Sequence, residues 1–172
     1  MKIRNVTRED LPEILRLFDI ARAYMRASGN LNQWVGGYPG ADIVLSDIQA
    51  GNQYVMEANS VIVGAFSLLP GEEPTYQYIE NGHWHSENPY GTIHRLASRG
   101  TTPGIAKACF DFCLTKFCYL RVDTHEDNLP MQRAVTRYGF QKCGTIYLSD
   151  GAPRIAFDYA ADSREEAFAV RS

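Results

Sequence analysis

The segment whose chemistry is easiest to read is a turn at residues 99–104, with the sequence Arg-Gly-Thr-Thr-Pro-Gly. Residues 92–97 before it have the character of a short strand, and a helix is predicted to begin at Ile105. Free backbone N–H groups and the positive end of the helix dipole meet at such a turn, and glycine lets a ligand approach closely. The turn is therefore a candidate anion site, although Pro103 also suits the first turn of an ordinary helix.

Three ionisable side chains lie close in sequence to this turn. His94 and Arg95 belong to the strand before it, and His125 follows the next strand, 119–124. A histidine can accept a proton near neutral pH, although a single buried histidine more often has a structural role. The charge of Arg95 in a central strand needs a partner. We expect it either to pair with Asp123 or to hold an anionic substrate group.

The strand pattern also predicts which side chains share a face with His94. Successive side chains of a strand point to opposite faces, so Thr92 and Leu96 should lie on the face of His94. The residues expected on the opposite face are Ile93, Arg95 and Ala97. This alternation would place His94 and Arg95 on different sides of the sheet.

Residues 70–90 form a long segment without regular periodicity. They include six ring-bearing side chains, namely Tyr76, Tyr78, His83, Trp84, His85 and Tyr90. Long irregular segments are uncommon in compact domains and are often functional. With Trp34 and Tyr38, these rings are expected to wall a binding site or a subunit interface. An exposed aromatic loop of this kind would favour a homodimer.

The histidines and cysteines do not form the spacing of a metal site. His83 and His85 are expected to point to opposite sides of an extended segment, with no cysteine or carboxylate set nearby. Cys109 and Cys113 share one helix face with apolar neighbours. A metal or redox pair is the alternative, but all four cysteines are predicted to be small buried hydrophobes in a reducing compartment. No metal is therefore expected.

The bulk composition excludes several classes of function. The chain has 172 residues and a net charge of −3, without a run of lysine or arginine, so nucleic acid is not an expected partner. No apolar stretch approaches the roughly 20 residues that span a bilayer. Residues 1–5 lack the apolar core of a signal peptide. We therefore expect a cytoplasmic protein without membrane contact.

Hydrophobic periodicity predicts the order of the elements. The order is strand, two helices, three strands, helix, strand, helix and two strands. Antiparallel strands come first and two strand–helix crossovers follow. The predicted fold class is thus α/β of the α+β type, with a mixed, largely antiparallel central sheet and helices on both faces. Residues 1–159 are expected to form a single domain, and residues 160–172 a frayed or helical tail.

This order and the segment 92–140 resemble the GNAT superfamily of acyl-CoA-dependent N-acyltransferases. Three runs are similar to a bacterial subgroup of acetyltransferases: Pro-Tyr-Gly-Thr-Ile-His-Arg at 89–95, Asp-Thr-His-Glu-Asp-Asn at 123–128, and Asp-Gly-Ala-Pro-Arg-Ile at 150–155. The resemblance covers residues 1–159. It implies the GNAT fold and acetyl-CoA as co-substrate.

The resemblance also implies where the cofactor lies, namely along the fourth strand and the turn after it. In the usual loop pattern, Gly104-Ile105-Ala106 matches the second half, whereas Thr101 replaces a basic residue for which Arg99 is a nearby substitute. Asn128 takes the position of an asparagine that contacts the cofactor, and it could equally cap the following helix. The residues implied in cofactor binding are Leu96, Ala97, Ser98, Gly100, Thr102, Pro103, Gly104, Ile105, Ala106 and Asn128.

The catalytic residues of the superfamily are only partly matched. Many members have a tyrosine as general acid four residues before the glycine of Gly-Phe, where this chain has Val135. Tyr138 lies three positions further on, projects about 60° differently on a helix, and is expected to pack at the helix end. The slot of a carboxylate base falls on His94. His94 and His125 are therefore the catalytic candidates.

The function implied is transfer of an acetyl group from acetyl-CoA to an unknown primary amine. Direct transfer is expected, because no cysteine is placed for a covalent intermediate. The candidate substrate contacts are Trp34, Tyr76, Trp84 and Arg95. The departures at Thr101 and Val135 leave a second interpretation open, a catalytically silent acyl-CoA-binding sensor or regulatory module. An enzyme that acylates a hydroxyl is a third.

Overall fold

A single seven-stranded sheet organises the molecule, for which a computed structural model describes residues 1–161. The strands are β1 (Lys2–Asn5), β2 (Gln53–Ala58), β3 (Val61–Pro70), β4 (Gly91–Ser98), β5 (Tyr119–Thr124), β6 (Gln141–Tyr147) and β7 (Pro153–Ala160). The helices are α1 (Leu11–Ala27), α2 (Ala41–Gln49), α3 (Ile105–Leu114) and α4 (Leu129–Tyr138). The predicted order of elements is confirmed. Of the predicted tail, residues 162–172 lie outside the described residues.

The strands lie in the spatial order β1-β2-β3-β4-β5-β7-β6. All neighbouring pairs are antiparallel except β4 and β5, which are parallel and are joined by a crossover through α3. The mixed, largely antiparallel sheet is therefore confirmed. Strand β7 inserts between β5 and β6, so the last strand in the chain is not at the edge.

Helices cover both faces of the sheet, as predicted. On one face α1 and α2 pack on β2 and β3, with Phe18 and Val44 fully buried there. On the other face α3 and α4 pack on β3, β4 and β5, with Phe110 and Val135 fully buried. None of the helices in residues 1–161 has both the length and the apolar character needed to cross a membrane.

The cysteines are free, and three of the four are buried. Burial raises the pKa of the Cys109 thiol well above its usual value. Cys109 and Cys113 are thus small core residues of α3, as expected. Cys118 is exposed, so the prediction of burial is wrong at that position, because it lies in the surface turn between α3 and β5.

Helix ends form where the sequence places capping residues. The Oδ1 atom of Asn128 accepts a hydrogen bond from the backbone N–H of Met131 at 3.2 Å, and Gly139 ends α4 with a left-handed φ of 118°. Before α1, Asp10 accepts a hydrogen bond from the Thr7 backbone at 2.9 Å. Arg4 lies 2.7 Å from the Asp10 carboxylate and is the main reason that the pKa of Asp10 falls to about 2.

The irregular segment 71–90 is tied to β6 by backbone contacts. Glu80 and Thr145 exchange two backbone hydrogen bonds of 2.8 Å, and the N–H of His83 donates to the carbonyl of Cys143 at 2.9 Å. Gly82 lies against the same strand, where a Cβ atom would stand 1.7 Å from the Cys143 oxygen. A glycine is therefore required for this close approach of two backbones.

Candidate active site

Strands β4 and β5 are paired only at their beginnings. Residues Gly91–Ile93 pair with Leu120–Val122, whereas the rest of the two strands has no pairing between them. Strand β5 stays paired with β7 as far as Thr124. A wedge-shaped opening therefore forms between two central strands, and the backbone polar groups along it lack partners from the opposite strand.

A bulge in β4 lies at this opening. Two residues of β4, Arg95 and Leu96, stand opposite the single residue Phe66 of β3. The φ angle of Arg95 is +55°, a left-handed conformation that is uncommon for any residue other than glycine. Because of the extra residue, the side chains after His94 point in directions other than those of a regular strand.

The bulge also overturns the predicted alternation along β4. Ile93 and Leu96 pack into the same apolar cluster beside α3, whereas Ala97 belongs to the cluster beside α1. The sequence had placed Ile93 with Ala97 and opposite Leu96, which is wrong because the extra residue shifts the period by one. His94 and Arg95, expected on opposite faces, both line the same cavity.

That cavity has a volume of about 680 Å³ and extends from α3 past the opening to the turn between β6 and β7. Apolar walls come from several elements, including Trp34, Val35, Leu96 and Leu148. Its lining also holds ionisable and polar side chains, among them Glu73, His94, Arg95, Asp123, Thr124, Asn128 and Arg154. Such a mixture of apolar walls and a few convergent polar groups is typical of a small-molecule site.

His94 is paired with a carboxylate from the irregular segment. Its Nε2 atom lies 3.2 Å from Oε2 of Glu73, and both side chains are about four-fifths buried. The hydrogen bond from His94 is the main cause that lowers the pKa of Glu73 to about 2, and Thr75 also donates to Glu73. A histidine held by an ionised carboxylate is oriented for proton transfer.

Asp123 supplies a second carboxylate to the cavity. Its Oδ2 atom accepts a hydrogen bond of 2.7 Å from the hydroxyl of Tyr76, which is almost completely buried. Burial and the neighbouring Asp123 raise the pKa of that phenol, so Tyr76 remains a donor. The hydrogen bond holds Asp123 in place at the end of β5.

The turn before α3 has the geometry expected of an anion site. Gly100 and Gly104 both have a φ of +79°, and Gly104 caps the helix without any side-chain hydrogen bond to its first amides. The first N–H groups of α3 therefore have no acceptor within the helix. Ile105 and Ala106 line the cavity, so these amides lie at one end of it.

The molecule around this cavity has a close structural counterpart. The GNAT-family acetyltransferase of Streptococcus agalactiae 2603 is 29% identical in sequence, with 94% of this chain and 96% of that chain matched and a TM-score of 0.85. This chain is an acetyltransferase of the GNAT superfamily.

More distant structures share the fold of this acetyltransferase. A GNAT-family acetyltransferase of Listeria monocytogenes is 19% identical, with 92% and 94% of the two chains matched and a TM-score of 0.68. The protein yncA of Salmonella typhimurium, solved with its cofactor acetyl-CoA, is 13% identical over 94% of each chain, with a TM-score of 0.64. No protein-family model and no curated protein matches the sequence.

Most of the residues predicted to bind the cofactor of this acetyltransferase line the cavity. Six of them line it: Leu96, Ala97, Ser98, Ile105, Ala106 and Asn128. Four others, Gly100, Thr102, Pro103 and Gly104, form the surface turn at its end and are not among its lining residues. Arg99 does not replace the missing basic residue, because its guanidinium is held by Glu13 and by the carbonyl of Ile62.

Arg95 has a different partner from the one that its sequence position suggested. The expected pair with Asp123 is wrong, because the bulge turns Arg95 toward α2, where its guanidinium donates to Asp47. It also donates to Ser67 Oγ at 3.3 Å and to the hydroxyl of Tyr38 at 3.2 Å. The charge of Arg95 is thus neutralised within the fold, although the side chain contributes to the cavity wall.

His125, the second catalytic candidate, does not line the cavity. Its Nδ1 atom accepts a hydrogen bond of 3.1 Å from the backbone of Asp127, and the side chain is about nine-tenths buried in the turn before α4. The geometry therefore gives His125 a part in shaping this turn and leaves His94 as the histidine of the cavity.

The position of the tyrosine that many superfamily members use as general acid is occupied here by Val135. Val135 is fully buried in the core between α4 and the sheet. Tyr138 donates a hydrogen bond of 2.8 Å to Asp111 and packs on Phe110 and Tyr159. It does not line the cavity, which agrees with the packing role expected from the sequence.

Aromatic side chains of the irregular segment 71–90 pack behind the residues that line the cavity. Tyr76 and Trp84 do not line the cavity, whereas Glu73 and Thr75 from the same segment do. The Trp84 ring lies 5.0 Å from Tyr76 and 4.1 Å from the guanidinium of Arg121. Tyr76, Trp84 and Tyr90 are thus buried or half-buried, whereas Tyr78, His83 and His85 are exposed. The homodimer stays a prediction.

Two expectations about His83 and His85 are wrong: that they point to opposite sides, and that no cysteine or carboxylate lies near them. The rings of His83 and His85 lie 5.3 Å apart on one side, since residues two apart in an extended segment share a face. A cysteine and a carboxylate are also close, with Cys143 Sγ at 3.5 Å and Asp158 Oδ1 at 2.8 Å from His85 Nδ1. Because Asp158 also accepts bonds from Tyr119 and the His85 backbone, this group ties the segment to β7.

Several polar residues of the cavity were not recognised from the sequence, among them Glu73, Asp123, Thr124 and Arg154. Glu73 lies in the irregular segment, which gave no register, and Asp123 was considered only as a partner of Arg95. Thr124 is buried with no hydrogen-bond partner for its hydroxyl among the described residues. Arg154 was visible in the run 150–155, but its role could not be read from the run alone.

Proposed function

We propose that this acetyltransferase moves an acetyl group from acetyl-CoA directly to a primary amine. The observation that carries the proposal is the opening between β4 and β5, which ends at the uncapped N-terminus of α3. An extended chain with amide groups can bind along an unpaired strand edge, and phosphate suits the free amides of a helix N-terminus.

The residues of the site fit such a co-substrate. The unpaired backbone of β4 beyond Ile93 would bind the pantetheine amides, and the amides at Ile105 and Ala106 would bind the pyrophosphate. The buried hydroxyl of Thr124 has no partner within residues 1–161 and lines the cavity, so it is free to bond a polar group there. When bound, acetyl-CoA supplies an acyl carbon that is open to attack by an amine.

His94 takes the role of general base in this proposal. An amine must lose a proton to attack, and the proton passes from its nitrogen to the imidazole directly or through one water. Glu73 holds the ring and stabilises its protonated form through the 3.2 Å contact. Asp123 stands at the same cavity as a carboxylate that attracts an ammonium group before deprotonation.

The leaving group does not require an acid at position 135. In the transfer, the new C–N bond forms as the C–S bond breaks, and the electron pair leaves with sulfur. A thiol of ordinary pKa, near 8.5, gives a thiolate that is a tolerable leaving group at neutral pH. The protonated His94 or solvent returns a proton to it. The buried Val135 is therefore compatible with turnover.

The test is release of CoA from acetyl-CoA with a broad amine panel, with product identified by mass. His94→Gln is expected to lower kcat by about 10²–10⁴-fold, the range for loss of a general base. His83→Gln, an exposed histidine outside the cavity, is the matched control and should keep its rate. The Kd of acetyl-CoA should be similar in all three proteins.

Two results would overturn this assignment. Tight acetyl-CoA binding without turnover on any amine, and with no effect of His94→Gln, would support a silent sensor or regulatory module. An O-acetylated product from a hydroxyl compound in the same screen would change the acceptor class.

A further inference from the structure

Arg154 is a buried cation that has no counter-ion in the described part of the chain. The residue is 8% exposed, and its one hydrogen bond runs from Nη1 to the carbonyl of Pro153 at 2.8 Å. No carboxylate in residues 1–161 lies within ion-pair distance of it. A buried guanidinium without a partner is costly. The Nε and Nη2 atoms of Arg154 have no hydrogen-bond partner among residues 1–161, and the residue lines the cavity.

The register of the sheet locates Arg154 next to Asp123. Asp123 on β5 is directly opposite Ala156 on β7, and Arg154 lies two residues from Ala156 on the same face. Such diagonal neighbours lie about 7–8 Å apart. Asp123 uses one carboxylate oxygen for Tyr76, and its other oxygen has no hydrogen-bond partner among residues 1–161. A cation and an anion thus share one cavity without neutralising each other.

This face of the sheet is distinct from the side of the proposed cofactor. Ala156, on the face of Arg154, packs with Tyr76 and Ile146. Ile105, at the anion-binding turn, packs in the cluster beside α3 on the other face. The carboxylates of Asp123 and Asp150 also line the cavity, and they make its Arg154 end unfavourable for the several charges of a pyrophosphate.

We infer that the acceptor is an amine of amino-acid size that carries a carboxylate, and that Arg154 binds this carboxylate. The inference rests on the proposed function. A guanidinium binds a carboxylate through two parallel hydrogen bonds, which fixes the orientation of the ligand as well as its position. The ammonium end of such a ligand would then face Asp123 and His94, where its proton is removed. Arg154 is thus a specificity-determining residue.

The experiment compares matched acceptors that differ only in the carboxylate. Glycine, leucine and phenylalanine are each assayed against the corresponding α-amide, for the wild type, Arg154→Met, Arg154→Lys and the exposed control Arg8→Met. The measured quantity is the ratio of kcat/KM for acid over amide. Comparing this ratio between proteins cancels the different basicity of the two amines.

We expect Arg154→Met to lower the ratio about 10–100-fold, mainly through KM for the acid, as for the loss of a charged hydrogen-bonded pair. Arg154→Lys should keep part of the preference, and Arg8→Met all of it. Thermal stability and the Kd of acetyl-CoA are measured for every variant. An equal loss on acids and amides, or a weakened Kd for acetyl-CoA instead, would refute the inference.

A binding measurement separates this inference from the proposed function. The same acids and amides are titrated by calorimetry into the protein with CoA present, where transfer does not occur. Binding of the acids that depends on Arg154, without turnover in the assay, would sustain the carboxylate site and refute transfer to amines. Equal turnover of amines with and without a carboxylate would support transfer to amines and refute the carboxylate site.

Discussion

The imidazole of His94 and the carboxylate of Glu73 meet at 3.2 Å, although the two residues are 21 positions apart in sequence. One lies on a central strand and the other on the irregular segment between β3 and β4. The segment itself is attached to β6 and β7 through Glu80 and His85. The orientation of the proposed base, His94, therefore depends on the contacts that this segment makes with β6 and β7.

Glu73→Gln tests this pair through the rate of transfer. The pKa of Glu73 is lowered from 4.5 to about 2, so the carboxylate is ionised throughout the working range and holds the imidazole of His94. The neutral amide holds the imidazole less firmly, so kcat/KM should fall about 10-fold at every pH of this range. The profile is measured between pH 5 and pH 9.

Glu72→Gln is the matched control, since Glu72 is the exposed neighbour of Glu73 and lies outside the cavity lining. Its profile should overlay that of the wild type. A Glu73→Gln profile that also overlays that of the wild type would show that Glu73 does not support the proposed base.

Thr124→Val separates a role in binding from a role in stability. The hydroxyl of Thr124 is buried without a partner in residues 1–161, so its removal should leave the free energy of unfolding unchanged or raise it by up to about 1 kcal/mol. If the hydroxyl bonds the co-substrate, KM for acetyl-CoA should rise about 5–10-fold. Denaturant unfolding and steady-state kinetics measure the two effects.

Thr92→Val provides the comparison, because Thr92 has a buried hydroxyl of the same kind and does not line the cavity. It should reproduce the effect on stability without the change in KM. Equal kinetic effects of the two substitutions would argue against a contact at Thr124.

Gly82→Ala should release the irregular segment from β6. A Cβ atom at this position would stand 1.7 Å from the carbonyl oxygen of Cys143, which is backbone and cannot move aside. We expect a loss of at least about 2 kcal/mol in stability and faster hydrogen exchange at Glu80 and His83. The rate should fall as well, because Glu73 is carried by the same segment.

Gly71→Ala shows what backbone strain alone does in that segment. Gly71 has a φ of +88° with open space around it, so the substitution should cost only about 1 kcal/mol and leave exchange at Glu80 unchanged. Similar exchange in both variants would contradict the steric explanation.

Asp10→Asn should weaken resistance to acid. The folded pKa of Asp10, about 2, lies below its ordinary value of 3.8, because Arg4 and the Thr7 backbone bond the carboxylate. Its stabilisation is therefore fully present above about pH 4 and is lost as the pH falls toward 2. Above pH 4 the wild type should exceed Asp10→Asn by about 1–2 kcal/mol, with convergence near pH 2. Urea unfolding at a series of pH values measures this difference.

The sequence predicted the elements well because their signals are local. The hydrophobic periodicity of each element, the cap at Asn128 and the glycine at 139 each act within a few residues of their own position. The order of strands and helices followed from such signals, and with it the class of sheet. The parallel pair β4 and β5 then followed from the intervening helix.

The site was less predictable because its contacts are not local. A single extra residue at Arg95 changes which side chains face the cavity, and a bulge leaves no mark in the pattern of apolar residues. Glu73 reaches His94 from a segment without periodicity, so no register connected them. Arg154 depends on the insertion of β7 between β5 and β6, which the order of elements along the chain does not reveal.

That insertion has a consequence for how the protein is made. Strand β7 provides Arg154 and the Asp158 anchor of the irregular segment, and it is the only bridge between β5 and β6 in the described sheet. A growing chain that has passed β6 still has β5 as an open edge, exposed to pairing with other chains. Only after residue 160 has left the ribosome can the sheet close. The proposed active-site cavity is then completed in the same step that covers the open edge of β5.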